Sequence, residues 1–108
     1  MQIPLQITVH GLAHSPALDA AIASKAAALE RFRSRITHCR VAVSELGRHQ
    51  RQGRQFEVSI ELRAPNDGDV VVTRQHDEDV YVALCDAFDA ALRQVESHAS
   101  RRRDLSRG

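Results

Sequence analysis

The sequence predicts an α+β fold, a two-layer sandwich with the order β-α-β-β-β-α, in which a four-stranded mixed sheet carries two helices on one face. Four short segments alternate apolar and polar residues with the period of two that half-buried strands show. Two longer segments place their apolar residues at helical spacing instead. Because only one side of each predicted strand is apolar, both helices must cover the same face of the sheet.

The first strand and the first helix follow one another within residues 3–34. Residues 3–9 alternate cleanly, and Pro4, which has no backbone N–H, favours either an edge position for this strand or a place at its start. Ser15 followed by Pro16 is typical of a helix start, because the hydroxyl caps the first turn and proline fits the first helical position. The alanine-rich run that follows predicts a helix over residues 16–34.

Three further strands are predicted at residues 37–46, 55–63 and 70–75, with loops at residues 47–54 and 65–68. A right-handed crossover through the first helix should make the first two strands parallel. The later, shorter connections predict an antiparallel meander of the second, third and fourth strands. The outer side of the sheet is expected to face solvent with Gln6, Thr8, His38, Arg40, Ser44, Glu57, Ser59, Glu61 and Thr73.

The last helix is predicted to begin at Asp77 or Asp79, either of which can cap it, and to run to about residue 100. Its apolar face repeats at helical spacing and comprises Tyr81, Leu84, Phe88, Ala91, Leu92 and Val95. All the aromatic rings of the chain are expected to face inward. We expect residues 1–100 to form the domain and residues 101–108 to form a basic C-terminal tail.

Composition excludes several classes of protein. The 108 residues are 43% hydrophobic and 27% charged, which is typical of a soluble globular domain and not of a disordered chain. No apolar run is long enough to span a membrane and no secretory signal is evident. Two cysteines, Cys39 and Cys85, are too few for a disulfide scaffold and fit a reducing compartment, so we expect a cytoplasmic protein. We also expect the isolated protein to be monomeric.

The net charge of +1 hides a strong segregation of charge along the chain. Residues 31–54 carry seven arginines against Glu45 alone, and residues 97–108 carry four arginines against Asp104. The stretch between them, residues 55–96, carries ten acids against three arginines. Fourteen of the fifteen cations are arginine, a bias that suits bidentate phosphate contacts and that a GC-rich genome would produce equally well.

The residues that could carry chemistry form no catalytic or metal-binding pattern. No C-x-x-C pair occurs, and the adjacent His38 and Cys39 point to opposite sides of a strand. The acids at the start of the last helix complement its dipole, and Asp89 can pair with Arg93 one turn further on. We therefore expect no metal, no cofactor, no small-molecule substrate and no enzymatic activity.

The basic residues are the candidates for a binding site. Lys25 falls close to the centre of the apolar stripe of Leu18, Ile22 and Leu29, where a lysine must extend its ammonium group to water or to a phosphate. The alternative is that the cations serve only as solvated helix ends and as a soluble loop. With the aromatic rings inward, we expect RNA to be read by its shape and phosphates. The candidate RNA-binding residues are Lys25, Arg31, Arg35, Arg48, Arg51, Arg54, Arg93, His98, Arg101, Arg102 and Arg103.

Two segments of the chain carry specific motifs. One is the start of the last helix, Asp79-Val80-Tyr81-Val82-Ala83-Leu84, with Asp89 and the run Arg93-Gln94-Val95 further on. The other combines Leu29-Glu30 with Phe32, Arg35 and Ile36. Together they resemble the ribosome hibernation promoting factor and ribosome-associated inhibitor A family, and Lys25 falls where that family carries a lysine. The resemblance covers about residues 1–98, and because the chain stops at Gly108 it is similar to the short class of the family.

The resemblance implies a non-enzymatic protein that binds the small ribosomal subunit and its 16S rRNA. The family binds between the head and the body, over the tRNA and mRNA sites, and silences ribosomes in stationary phase or stress. Family lysines on both helices are here Ala28 and Ala90, and the arginines of residues 48–54 can compensate. The alternative is a regulatory protein-interaction module that kept the fold but lost most of its affinity for rRNA.

Overall fold

The structure, a computed structural model, describes residues 4–13, 15–32, 36–46, 55–63 and 70–107, without the side chains of residues 31, 32 and 98–107. The order β-α-β-β-β-α is confirmed. The elements are β1 (Leu5–His10), α1 (Pro16–Ala27), a 3-10 segment (Ala28–Phe32), β2 (His38–Leu46), β3 (Gln55–Arg63), β4 (Val70–Asp77) and α2 (Val80–Arg107).

The four strands form one mixed sheet in the order β1-β2-β3-β4. β1 pairs with β2 in parallel, and β2, β3 and β4 form the antiparallel meander. Both predictions of strand direction are therefore confirmed. β1 lies at an edge, as Pro4 indicated.

Both helices pack on the apolar face of the sheet and enclose one core. α2 packs against β3 and β4, and α1 packs against β1 and against α2. The apolar residues of the two helices and the inward residues of the strands meet in this layer, where Ile22, Leu29, Val41, Val43, Val58, Ile60 and Ala87 are fully buried. This burial against the sheet, more than helix propensity, is what holds two such helices in place.

Side-chain caps set the first residues of both helices. Ser15 Oγ accepts a hydrogen bond from the backbone N–H of Leu18 at 3.0 Å, and Pro16 occupies the first helical position. Asp79 Oδ1 accepts from the N–H of Tyr81 at 2.9 Å, and Asp77 Oδ1 accepts from the N–H of Asp79 at 3.0 Å. Asp79 is therefore the cap of α2, and Asp77 supports the turn that leads into it.

Both helices depart from their predicted lengths. The α-helical part of α1 ends at Ala27 and tightens into the 3-10 segment, short of the predicted end at residue 34. α2 continues to Arg107, beyond the predicted end near residue 100. The run of residues 101–107 contains neither proline nor glycine, so nothing local stops the helix there. With 28 residues α2 is about 42 Å long, longer than any strand beneath it.

The outer face of the sheet is open and mostly polar, as predicted, with one wrong assignment. Thr73 points inward, because the register places it opposite the buried Ile60, and it is only 5% exposed. Its hydroxyl donates to the backbone oxygen of Ala87 at 3.1 Å, so its burial leaves no unpaired polar group. Val70 and Val72 therefore take the outward positions of β4, where they are 44% and 47% exposed.

The prediction that all aromatic rings face inward is also wrong at one position. Phe56 and Phe88 are buried, whereas Tyr81 is 45% exposed. Tyr81 has the helical spacing of the buried stripe, but it lies in the first turn of α2, where the neighbouring Val82 is exposed as well. The first turn is thus less covered than the middle of the helix, and its phenol faces water.

The buried thiol of Cys39 makes the stability of the fold depend on pH in the alkaline range. Cys39 and Cys85 are both free, and Cys39 is only 2% exposed. Desolvation by burial raises the pKa of Cys39 from 9.0 to about 11. In the unfolded chain the thiol loses its proton at lower pH than in the fold, so the free energy of unfolding must fall as the pH rises between these two values.

We therefore expect wild-type protein to lose stability, relative to Cys39→Ala, between pH 9 and about 11. The measurement is the free energy of unfolding by urea at several pH values from 8 to about 11, with Cys85→Ala as the matched control because Cys85 is partly exposed. A difference between wild type and Cys39→Ala that stays constant over this range would contradict the prediction.

Candidate nucleic-acid interface

The strand register defines two ends of the sheet, and each basic residue of the described elements lies towards one of them. At one end β2 begins at His38, opposite Arg63, the last residue of β3. We call this the His38 end. At the other, β2 ends at Leu46 opposite Gln55, and Phe56 pairs with Asp77, the last residue of β4. We call this the Leu46 end; β3, nine residues long, separates the two by about 27 Å.

Both helices run from the Leu46 end towards the His38 end. α2 starts two residues after β4 and returns along it, as the bond from Thr73 to Ala87 shows. α1 must also return, because it joins the end of β1 to the start of the parallel β2. The last turn of α1 and the second half of α2 therefore approach the His38 end.

Lys25 lies in the last turn of α1 and is partly buried. It follows Leu18 and Ile22 at helical spacing and precedes Leu29, and these three leucine and isoleucine side chains are at most 3% exposed. No ion pair to Lys25 occurs among the described side chains. Its methylene stem adjoins the core, and no carboxylate among the described side chains pairs with its ammonium group.

Arg93 is exposed on α2, six residues beyond Ala87, or about 9 Å further along the helix. This places it level with the start of β4, towards the His38 end. The predicted ion pair with Asp89 is absent, since both side chains are described and no contact within 4.0 Å joins them. Its guanidinium is therefore available to an external anion.

The other nine predicted RNA-binding side chains lie outside the described residues. The backbone of α2 carries His98, Arg101, Arg102 and Arg103 onward from Arg93 in the same direction. The backbone of Arg31 belongs to the 3-10 segment that follows α1, so these five positions lie on the side of the His38 end. Arg35 is among the residues that the structure does not describe.

Three further members of the predicted set, Arg48, Arg51 and Arg54, lie outside the described residues. The strands on either side of their segment end at Leu46 and begin at Gln55, at the end of the sheet opposite to the His38 end. Their part in an RNA contact stays a prediction.

The Leu46 end also carries the acids that start α2. Asp77 ends β4, and Glu78 and Asp79 lie between it and the helix. Asp79 caps the helix, and the carboxylate of Asp77 accepts from the N–H of Asp79. Carboxylates at a helix N-terminus complement its dipole, so their local role is structural. Lys25 and Arg93 lie towards the opposite end of the helix layer, away from these three acids.

Sequence reasoning missed a basic group on the other side of the sheet. His38, Arg40 and Arg63 point outward at the His38 end and line a shallow depression of about 310 Å³ together with Pro4, Gln6 and Glu61. Arg40 was assigned to the outer face, and the alternation of β3 places Arg63 there too. An explicit register for the predicted meander would have brought them together.

Two further observations bear on the type of site. Among the residues that the structure describes, no three histidine, cysteine, aspartate or glutamate side chains are grouped as metal ligands would be. None of the described helices is both long and apolar enough to cross a bilayer.

The fold is similar to that of two solved structures. The N-terminal domain of Thermus thermophilus Protein Y superposes with a TM-score of 0.71 at 24% identity, covering 91% of this chain and 99% of that one. A ribosomal subunit interface protein from Coxiella burnetii superposes with a TM-score of 0.73 at 18% identity, with the same coverage of 91% and 99%. Comparison with curated proteins gives no match.

The family is shown by a comparison that is independent of these structures. The model of the family described as Sigma 54 modulation protein / S30EA ribosomal protein matches residues 5–103, nearly the whole chain. The match contains every strand and Lys25, and most of α2. The chain therefore belongs to the Sigma 54 modulation protein / S30EA ribosomal protein family.

Proposed function

We propose that this protein is a non-enzymatic, cytoplasmic inhibitor of translation that binds the small ribosomal subunit and its 16S rRNA. It occupies the channel between the head and the body, over the tRNA and mRNA sites, and acts on idle ribosomes in stationary phase or stress. Family membership over residues 5–103 supports ribosome association. The two similar structures, one of them a ribosomal subunit interface protein, agree with it.

The observation that carries the RNA contact is the environment of Lys25. A cation beside the fully buried Ile22 and Leu29 costs stability unless its charge reaches water or a counterion. No carboxylate among the described side chains pairs with it. An RNA phosphate supplies the missing counterion, and Arg93, at the same end of the helix layer, supplies a second contact of the same kind.

Charge-driven binding of this type predicts a strong dependence on salt. If about five phosphates are neutralised, the slope of log affinity against log salt is about −4, and affinity falls by roughly two to three decades between about 50 and 200 mM salt. Co-sedimentation of the purified protein with small subunits across this range measures the slope. An affinity that does not change with salt would contradict the proposal and favour a protein-interaction module.

Substitution of Lys25 tests the contact itself. We expect Lys25→Ala to weaken subunit binding by roughly 1–3 kcal/mol, the loss typical of one charge-assisted hydrogen bond. The fold should remain as stable or become more stable, because alanine is the better helix former. Lys25→Arg should retain most of the affinity, and Ser24→Ala, at an exposed neighbouring position of α1, should bind as wild type does.

The same assay decides between the two ends of the molecule. Arg48→Ala and Arg51→Ala should reduce binding less than Lys25→Ala, because an ordered loop contact first costs backbone entropy. Thermal unfolding of each variant is measured beside co-sedimentation. If Lys25→Ala unfolds the domain, the lysine is structural; if it binds like wild type while the two arginine variants fail, residues 48–54 form the interface instead.

A further inference from the structure

We propose that the outer face of the sheet carries a second RNA-backbone site, formed at the His38 end by Arg40 and Arg63 with His38 beside them. It lies on the face opposite to the helix layer that carries Lys25 and Arg93. The proposal rests on the proposed function for its occupant, a phosphodiester segment of rRNA. It adds a surface that the helix layer alone does not provide.

The sheet register brings the three side chains together. His38 is directly opposite Arg63, and Arg40 is directly opposite Glu61, in the adjacent strands β2 and β3. All four side chains point to the outer face of the sheet. Directly opposed side chains have Cβ atoms about 4.5–5.5 Å apart, and diagonal neighbours such as Arg40 and Arg63 are about 7–8 Å apart. One depression of about 310 Å³ is lined by all four residues.

Arg63 is held in a position that leaves part of its guanidinium for a ligand. Its Nε donates to Glu61 Oε2 at 3.0 Å, while the side chain of Arg63 remains 54% exposed. The two terminal nitrogens of the guanidinium are not needed for this bond and can donate to a phosphate. An exposed ion pair adds little to stability, so its main effect here is to orient Arg63 before a ligand arrives.

Arg40 supplies the excess positive charge. It is exposed, and among the described side chains no hydrogen bond or ion pair engages its guanidinium. The carboxylate of Glu61 is already bonded to Arg63, so the two groups largely balance each other. The depression therefore keeps a net positive charge that complements a phosphate.

The hydrogen bonds around His38 favour RNA as the occupant over a free anion. Thr37 Oγ1 donates to the backbone oxygen of Arg63 at 3.2 Å and also lies 3.2 Å from His38 Nδ1, so the tautomer with its proton on Nδ1 satisfies both contacts. In that tautomer Nε2 accepts hydrogen bonds. RNA offers both partners together, a 2′-hydroxyl that donates to Nε2 and a phosphate that accepts from arginine.

The test compares Arg40→Ala and Arg63→Ala with Arg74→Ala. Arg74 is an exposed arginine that alternation places on the same outer face, but it lies four residues along β4 from Val70, the partner of Arg63, or about 13 Å away. We expect each of the first two changes to weaken co-sedimentation with small subunits about tenfold and to reduce the salt slope by about one. Arg74→Ala should bind as wild type does.

A second measurement is independent of the ribosome. Titration of wild-type protein with the oligoribonucleotide hexauridylate, followed by NMR, should shift the backbone amides of residues 38–40 and 61–63, and Arg40→Ala should abolish these shifts. Thermal unfolding of all variants checks that the exposed substitutions leave the fold intact. If the oligoribonucleotide shifts these amides but wild type does not sediment with subunits, the outer site stands and the proposed function fails.

Three other results would overturn the outer site. If Lys25→Ala weakens subunit binding while Arg40→Ala and Arg63→Ala bind as wild type, the helix layer alone contacts RNA and the proposed function is kept. An equal loss in all three arginine variants would reflect general attraction to a positive surface. If neither small subunits nor hexauridylate engage these residues, the outer site and the proposed function both fail.

Discussion

The parallel pairing of β1 with β2 is the constraint on which the rest of the molecule depends. A parallel pair requires the chain to return along the sheet between its strands, and here α1 makes that return. The right-handed path puts α1 on the face that α2 also covers, so one face of the sheet is buried and the other stays open. The same return places Lys25, in the last turn of α1, towards the end of the sheet where β2 begins.

The positions of the charged residues in the molecule depend on this topology more than on their order along the chain. The acids before α2 cap the helix at the Leu46 end, and the helix then carries its basic second half away from them. At the His38 end, the helix layer presents Lys25 and Arg93. The outer face of the sheet presents Arg40 and Arg63 at the same end. A near-neutral protein can in this way present a basic end to an anionic partner.

Most of the fold follows from local patterns, because burial on one face imposes a period on each element. The alternation of β3 predicted every inward residue of that strand, and Ser15 with Pro16 predicted the start of α1. Thr73 was misplaced because a short β-branched run, Val70 to Thr73, has no polar alternation to show which side faces the core. Tyr81 was misplaced because helical spacing does not reveal how well the first turn is covered.

The candidate site was predictable only where a single element contains it. Lys25 stands out within its own helix, since Leu18, Ile22 and Leu29 define the stripe around it. The depression formed by His38, Arg40 and Arg63 joins two strands, and His38 lies 25 positions before its partner Arg63 in the sequence, so only the pairing register brings it together. The placement of Lys25 and Arg93 at the His38 end has the same cause, because it depends on the direction in which each helix runs.

The most direct measurement of the central claim is a structure of the protein bound to the small ribosomal subunit, determined by electron cryo-microscopy. We expect the His38 end to face rRNA, with phosphates within hydrogen-bond distance of Lys25 on the helix layer and of Arg40 and Arg63 on the outer face. We also expect the carboxylates of Asp77 and Asp79 to keep their hydrogen bonds at the start of α2. A complex in which the Leu46 end alone contacts rRNA, with Lys25 and Arg40 in solvent, would contradict it.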